Sequence, residues 1–477
     1  MARELDGDQA PVALSSVLPR GKGPGTRLPR RRGEMSRWLI TNARLVSDGE
    51  TIETDVRIER GRIDRIDGGL SARPREMVVD ANGRYLLPGM IDTHVHFREP
   101  GLTRKGSIAT ESRAAVAGGI TSFLDLPDTL PATTTRRALA DKFSRAQGRS
   151  SANYGFFLGA AAGNLAEIRA TGAAETCGVY ICVGGSGRDD AIEDPERLAQ
   201  YLSATALPTV LHGENSAVVE ANRARALSRH DGELKASVHP EIHSREASRA
   251  ALDLVSRLAG RQRLHLDGIS TIEEAEALEA GRLDQKTSTA SVLLPNLYFM
   301  DADYDSLGNL IKAEPSIKTA SDRQALRRAL SDDRIDIIAS GHAPHLLREK
   351  GPRYNAAAAG MPVVQFALPV AWSMVAARML SPDKLVEKVA HNPARRFGLV
   401  DRGFAREGYW ADLAMLDSGR RCVVDEQRLL SHCGWTPFAG RKLPATVAAT
   451  WVSGKLAWRE GLLTGQVPGM GLDSAPD

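Results

Sequence analysis

Between Gly89 and Gly398, short apolar segments alternate with stretches of helical periodicity. Such alternation is typical of strand–helix units that build a parallel sheet with helices packed outside it. The apolar segments include residues 120–126, 178–183 and 335–339. About eight such units fit into this part of the chain, and that number predicts a (β/α)₈ barrel.

The segments on either side of the barrel have strand-like composition. Val56 and Ile58, then Ile63 and Ile66, alternate with polar residues and indicate half-buried strands before the barrel. Residues 404–416 and 448–458 return to the same kind of pattern. A strand unit as small as the first cannot bury both of its faces alone, so it must pack against another part of the chain.

Composition excludes several classes of protein. The 477 residues include 62 basic and 59 acidic side chains, which leaves a net charge of only +3 and predicts neither a nucleic-acid nor a membrane partner. The four cysteines form no C-x-x-C pair, and this fits a cytoplasmic protein. Residues 1–34 are predicted to be a disordered basic tail, with Met35 as an alternative start, and residues 466–477 a disordered tail.

The candidate chemistry lies in residues 86–101, LLPGMIDTHVHFREPG. His94 and His96 are two positions apart on a predicted strand, so both imidazoles project to one face and can begin a zinc site. Arg98 continues that alternation and places a guanidinium, suited to a carboxylate, beside them. The alternative is that all three are surface polar residues at a strand end.

The whole segment resembles the first barrel strand of dihydroorotases, and the resemblance extends from about Trp38 to Gly461. It implies the reversible cyclisation of N-carbamoyl-L-aspartate to dihydroorotate, a step of pyrimidine synthesis, and a homodimer. It also implies a TIM-like barrel over residues 88–401. The chain ends, residues 35–87 and 402–465, would then form one small β-sandwich domain.

The same resemblance assigns candidate site residues. His94, His96 and His212 match metal ligands of the family, and Arg98 and His345 match residues that contact the substrate carboxylate. Asp128 stands where the family has an asparagine, and its charge would repel the carboxylate of dihydroorotate. Residues 359–366 remain family-like and could line a pocket through backbone contacts.

Three positions depart from the family pattern. Tyr180 stands where related dihydroorotases have a carboxylated lysine that bridges two metal ions, and Gly268 replaces a ligating histidine. Gly341 replaces an aspartate that is both a ligand and the catalytic base. His265 and Asp267 are close to Gly268 in sequence, but strand alternation predicts that both point to the opposite face, and either could reach a metal only through a bulge.

These departures predict at most one zinc ion and impaired or lost catalysis, because the bridge and the base are both missing. A chain without activity would serve as a structural or regulatory subunit, for example bound to aspartate carbamoyltransferase. The alternative is an active mononuclear-zinc cyclic amidohydrolase with weak or altered use of a cyclic amide or ureido acid. A third hypothesis is a metal-free small-molecule binder that uses Arg98 and His345.

Overall fold

Eight parallel strands close into a barrel in the computed structural model, which describes residues 37–184, 191–258, 262–466 and 468–475. A bridge between Val95 and His342 joins the last barrel segment to the first strand. The third strand is interrupted at Phe157. The barrel strands are Met90–Val95, Ile120–Asp125, Asn153–Phe156 with Leu158–Gly159, Val179–Cys182, Thr209–His212, Leu264–Leu266, Ser288–Leu293 and Ile337–Ala339.

Helices follow the barrel strands along the chain. Ile108–Ala117 shows why these segments are helical: the Ser107 side chain accepts a hydrogen bond from the backbone of Thr110 and caps the helix start. Thr271 and Glu274 form a capping box at the start of the helix Ile272–Ala277, in which the side chain of each residue accepts a hydrogen bond from the backbone of the other. The α-helices are Ile108–Ala117, Arg136–Ala146, Leu165–Ala170, Pro195–Ser203, Ser216–Arg229, His239–Ile242, Arg245–Leu258, Ile272–Ala277, Leu294–Tyr298, Tyr304–Leu307, Ala320–Ser331, Ala367–Ala371, Ser373–Ala376, Pro382–Val386 and Asn392–Arg396.

A mixed sheet of nine strands draws on both ends of the chain. The antiparallel pairing of Tyr85–Pro88 with Leu413–Asp417 joins the two ends. Trp38 and Trp451 meet edge to face in the apolar core of this sheet. Its strands are Trp38–Ser47, Glu50–Glu59, Arg62–Asp67, Met77–Asp80, Tyr85–Pro88, Leu413–Asp417, Thr446–Val452, Lys455–Arg459 and Leu462–Leu463, and Cys422–Val423 pairs separately with Lys442–Leu443.

The structure confirms a barrel with an added sheet from the chain ends, whereas the exact domain boundaries stay a prediction. Ser288–Leu293 is a barrel strand that the sequence analysis did not identify, since it reads Ser-Thr-Ala-Ser before its two apolar residues. The predicted tail of residues 1–34 lies outside the described residues. Within those residues, the structure shows no helix that is both long and apolar enough to span a membrane.

The prediction of a disordered tail at residues 466–477 is wrong for residues 468–475. The backbone of Tyr154 donates to the carbonyl of Met470, and Leu472 donates back to the carbonyl of Tyr154. Ala475 donates to the carbonyl of Gly398. Leu472 also packs against the apolar cluster inside the barrel that contains Leu124 and Phe397. These contacts hold the segment against the strand and helix ends, which sequence composition does not reveal.

Candidate metal and ring-binding site

A cavity of about 270 Å³ opens beside the ends of several barrel strands. In barrels of this type, chemistry is carried by residues at the carboxyl ends of the strands. The nine positions that the family resemblance assigns to the site all line this one cavity, although they come from distant parts of the chain. They are His94, His96, Arg98, Asp128, Tyr180, His212, Gly268, Gly341 and His345. Ala359 and Gly360 line it too, as the family-like segment suggested.

Three of the lining residues form a compact group of potential metal ligands. One side-chain ligand atom each from His94, His212 and Asp267 lies within 4.8 Å of the other two. The imidazole rings of His94 and His212 have centroids 5.5 Å apart. Two histidines and one carboxylate are a donor set found in catalytic zinc sites. The donors therefore fit a single divalent metal ion of the zinc type.

The position of Asp267 corrects the sequence analysis. Strand alternation applies only as far as Leu266, where the strand ends. Gly268 then has φ +86°, a conformation that favours glycine, and the pleat is lost. The Asp267 carboxylate consequently turns into the cavity. His265 behaves as predicted: it stays buried outside the ligand group and bonds to the Thr289 hydroxyl at 2.9 Å.

Asp267 and His94 form a buried ion pair. The carboxylate lies 2.6 Å from Nδ1 of His94, and the Ser291 hydroxyl donates to its other oxygen. Burial alone would raise the pKa of Asp267, but the attraction of His94 outweighs it and holds that pKa well below its usual value. Burial lowers the pKa of His94, yet the Asp267 charge produces a net rise. Both shifts stabilise the charged pair in the absence of a metal ion, and binding of a metal by His94 would release the proton, because only a neutral imidazole is a ligand.

His212 is oriented by the backbone of the same segment. Its Nδ1 lies 2.8 Å from the carbonyl oxygen of Asp267, so the ring donates there. A neutral imidazole that donates through Nδ1 carries its lone pair on Nε2, the nitrogen then suited to a metal. The Tyr180 ring stacks at 28° to the His212 ring, with centroids 6.3 Å apart. Tyr180 otherwise packs in the apolar barrel interior with Phe157.

His96 is held by Asp128 and lies outside the compact ligand group. Its Nδ1 is 2.7 Å from Asp128, while its ring centroid is 5.2 Å from that of His94. Burial lowers the pKa of His96 to about 4 despite the nearby carboxylate, so the ring is neutral at pH 7. The structure brings His96 beside the group, and its predicted role as a ligand stays a prediction.

Asp128 also contacts Arg98, which links two of the predicted substrate contacts. Its second oxygen accepts from Arg98 Nη1 at 3.2 Å, and Arg98 Nη2 lies 3.0 Å from Nε2 of His345. Burial, followed by the charges of Arg98 and Lys105, lowers the pKa of His345 to about 2. Arg98, Asp128 and His345 are therefore one connected set with a neutral imidazole at its end.

Neighbouring side chains lie close to Gly341 and Gly268, the two glycines that stand at ligand positions of the family pattern. A Cβ added to Gly341 would lie 3.1 Å from a methyl carbon of Leu293, and its φ of +69° disfavours other residues. A Cβ at Gly268 would lie 3.1 Å from the His212 ring. Contacts this short require a neighbour to shift. The chain around these glycines is therefore adapted to the missing side chains.

Three acidic residues of the cavity are not identified from the sequence: Glu214, Glu274 and Glu314. Glu214 lines the cavity and bonds to Nδ1 of buried His243 at 2.6 Å, with the Ser248 hydroxyl 3.3 Å from its other oxygen. Burial raises the pKa of Glu214, but His243 outweighs this and keeps the pKa below its usual value. Its place two residues after His212 at a strand end was the only available signal.

Comparison with known proteins finds relatives over most of the chain. The chain is 32% identical to a dihydroorotase of Methanosarcina mazei over 447 residues, which is 91% of this chain and 96% of that protein. It is also 32% identical to a dihydroorotase of Halobacterium salinarum, over 87% of this chain and 95% of the relative.

Solved structures of related enzymes share the fold. An L-hydantoinase (dihydropyrimidinase) of Arthrobacter aurescens superposes with a TM-score of 0.84 at 25% identity, over 91% of this chain and 99% of that one. A dihydropyrimidinase of Brevibacillus agri, 20% identical with a TM-score of 0.82 over 92% of this chain and 99% of that one, shares the fold. The amidohydrolase family model matches residues 85–457. The chain therefore belongs to the amidohydrolase family, and within it the chain is a dihydroorotase-like cyclic amidohydrolase.

Proposed function

We propose that this chain is a dihydroorotase-like protein whose conversion of dihydroorotate is strongly impaired. The observation that carries the proposal is Gly341, which stands where the family pattern has the catalytic base. A glycine offers no proton acceptor, and Leu293 occupies the space beside it. Loss of a general base typically lowers a rate by about 10²–10⁴-fold.

The Tyr180 position supports the same proposal. Its ring is buried among Phe157 and other apolar side chains, stacked on His212. A phenol with a reference pKa near ~10 does not replace a bridging carbamate between two metal ions. A second metal ion would therefore lack its bridging ligand, so we expect at most one zinc ion per chain.

His94, His212 and Asp267 are the residues that we propose to hold this ion. A bound zinc ion would activate a water molecule and polarise a substrate carbonyl. The chain itself supplies orientation: the Asp267 carbonyl fixes the ring of His212, and Asp128 fixes the ring of His96. Such outer contacts hold imidazoles in one tautomer and one direction.

A second candidate is an active mononuclear cyclic amidohydrolase with altered substrate use. The position of Asp267 favours this candidate. Asp267 completes a ligand set of two histidines and one carboxylate, which does not need the ligands that Gly268 and Gly341 replace. This candidate predicts measurable hydrolysis of some cyclic amide. It also predicts that Asp267→Asn abolishes that activity.

The test is turnover by the purified chain with zinc supplied. Ring closure of N-carbamoyl-L-aspartate and hydrolysis of dihydroorotate are followed by absorbance, with Asp141→Asn, a surface change on the helix Arg136–Ala146, as control. We expect a kcat of about 0.1 s⁻¹ or less, which is 10²-fold or more below the median of about 10 s⁻¹ for enzymes. Turnover near that median, abolished by His96→Ala, would contradict the proposal.

If catalysis is absent, we propose a structural or regulatory role in pyrimidine synthesis in the cytoplasm. Affinity purification of the tagged chain from its native cells tests this role. We expect aspartate carbamoyltransferase in the purified material and a homodimer by light scattering. Recovery of the chain without aspartate carbamoyltransferase would contradict this role.

A further inference from the structure

We propose that the cavity recognises an uncharged cyclic amide or imide and discriminates against rings that carry a carboxylate. This inference rests on the proposed function, because it treats the cavity as the ring-binding site of a dihydroorotase-like protein. It names the substrate class of that site. Arg98 is the only lysine or arginine among the described residues that line the cavity. The charged groups around Arg98 therefore decide whether a carboxylate on the ring can bind there.

Each nitrogen of the Arg98 side chain already contacts another group of the protein. Nη1 donates to Asp128 at 3.2 Å, Nε donates to the carbonyl of Pro344 at 3.2 Å, and Nη2 lies 3.0 Å from His345. The side chain is only 7% exposed. A guanidinium binds a carboxylate best through two parallel N–H groups. In Arg98, the carboxylate of Asp128 already accepts from one of these groups, on Nη1.

Carboxylates outnumber the lysine and arginine side chains that line the cavity. Five carboxylates line the same cavity as this single guanidinium. Asp267 is paired with His94 and Glu214 with His243, whereas Asp128 contacts Arg98 itself. A carboxylate on the ring would gain one cation that is already paired and would lie beside Asp128, which repels it. His345 adds no positive charge at pH 7, because burial and the nearby charge of Arg98 lower its pKa to about 2. The five carboxylates belong to Asp128, Glu214, Asp267, Glu274 and Glu314.

Lys105 does not restore a positive site. Its Nζ lies 3.0 Å from Nδ1 of His345, on the ring atom that does not face Arg98. It is paired with Glu349 at 3.6 Å, and it is not among the residues that line the cavity. The His345 ring therefore separates this ammonium group from Arg98, and Glu349 offsets its charge.

An uncharged ring matches the groups that remain. A cyclic imide or ureide carries N–H donors and carbonyl acceptors, and it has no charge to lose on entering the cavity. The carboxylate of Asp128 can accept from a ring N–H. A guanidinium has five N–H groups, so Arg98 can still donate to a ring carbonyl through one that is not used by Asp128, Pro344 or His345. The Arg98–Asp128 pair thus offers one donor and one acceptor side by side.

The test compares two ligands that share one ring. Isothermal titration calorimetry of the full-length wild-type protein at pH 7.5 measures binding of dihydroorotate and of dihydroorotamide, in which a carboxamide replaces the carboxylate. We expect the carboxamide to bind at least about tenfold more tightly. Equal or tighter binding of dihydroorotate would overturn the proposal, and so would the absence of binding by both rings.

A matched variant then identifies the residue responsible. Asp128→Asn keeps the size of the side chain and removes its charge, so the affinity for dihydroorotate should rise about tenfold while that for the carboxamide changes less than about threefold. Asp141→Asn removes the same charge from the helix surface, where it pairs with Arg145, and should leave the ratio unchanged. An unchanged ratio in Asp128→Asn, with its melting curve intact, would overturn the assignment.

The two proposals fail in different measurements. Rapid turnover of dihydroorotate contradicts the impaired catalysis, whatever the binding ratio of the two rings. A preference for the charged ring contradicts the present inference even when turnover is slow. If Asp128→Asn does not fold, Asp128→Ser provides the second variant, and the wild-type ratio requires no variant.

Discussion

The carboxylate of Asp267 lies 2.6 Å from Nδ1 of His94, although the two residues are 173 positions apart in the chain. The contact joins the first barrel strand to the loop after the sixth. It brings an acidic group to the place where His94 and His212 face each other. The site thereby gains a carboxylate that the family pattern does not supply at this position, and the first prediction depends on it.

Asp267→Asn should weaken zinc binding by at least about tenfold, because a neutral amide is a poorer ligand and a weaker orienting partner for His94. Competition with a fluorescent zinc chelator measures the affinity. Asp141→Asn on the surface serves as the control and should match the wild type. An affinity of Asp267→Asn within twofold of the wild type would show that Asp267 takes no part in the metal site.

Gly341→Asp should not restore the family activity on its own. The new side chain meets Leu293 and must adopt a φ of +69°, so we expect a loss of about 1–3 kcal/mol in the free energy of unfolding. Urea denaturation measures that loss, and the dihydroorotate assay measures turnover. The double variant with Leu293→Ala relieves the contact but not the backbone strain. A fully stable Gly341→Asp variant with rapid turnover would contradict this explanation.

The fold could be predicted well from the sequence, because hydrophobic alternation reports directly on buried strands and helices. The sequence does not predict the strand Ser288–Leu293, because three of its first four residues are polar although almost the whole strand is buried. The ordered structure of residues 468–475 is not predicted either. Backbone hydrogen bonds to Tyr154 and Gly398 hold this segment, and any sequence can make such bonds.

The site could be predicted only in part. The histidines and Arg98 were located by strand alternation and by resemblance, and they line the same cavity. Strand alternation predicts the wrong face for Asp267, because the strand ends one residue earlier, at Leu266. The pairing of Asp128 with both His96 and Arg98 required coordinates, since it joins loops that follow different strands.

Truncation after Gln466 should destabilise the barrel. The change removes the hydrogen bonds that Met470, Leu472 and Ala475 make with the barrel segments, and it exposes the apolar cluster that Leu472 covers. We expect the melting temperature to fall by about 4 °C or more, which corresponds to about 1–2 kcal/mol. Removal of only residues 476–477 is the control. Equal melting temperatures for both truncations would contradict a structural role for this segment.

Glu111→Gln should reduce stability in a pH-dependent way. Glu111 is buried and bonds to Nε2 of His342 at 3.1 Å and to the backbone of His432. Burial raises the pKa of Glu111, but His342 and Ser431 outweigh it and hold the pKa below 4.5. A carboxylate with a lowered pKa stabilises the fold above its unfolded pKa, and this contribution is lost as the pH falls.

The loss in Glu111→Gln should therefore be about 1–3 kcal/mol at pH 7 and should shrink below pH 4.5. Denaturation curves at pH 7, 5 and 3.5 measure the difference from the wild type. Glu220→Gln, an exposed carboxylate, should show no loss at any of these values. A difference that grows as the pH falls would have the wrong sign for this interpretation.

The central claim is that the cavity holds at most one metal ion, on His94, His212 and Asp267. The most direct test is the zinc content of the purified protein, determined by inductively coupled plasma mass spectrometry after saturation with zinc and gel filtration. The account predicts a ratio of one zinc ion per chain or fewer, and a lower ratio in Asp267→Asn. A ratio of two zinc ions per chain, lost together when His94 is replaced, would contradict it.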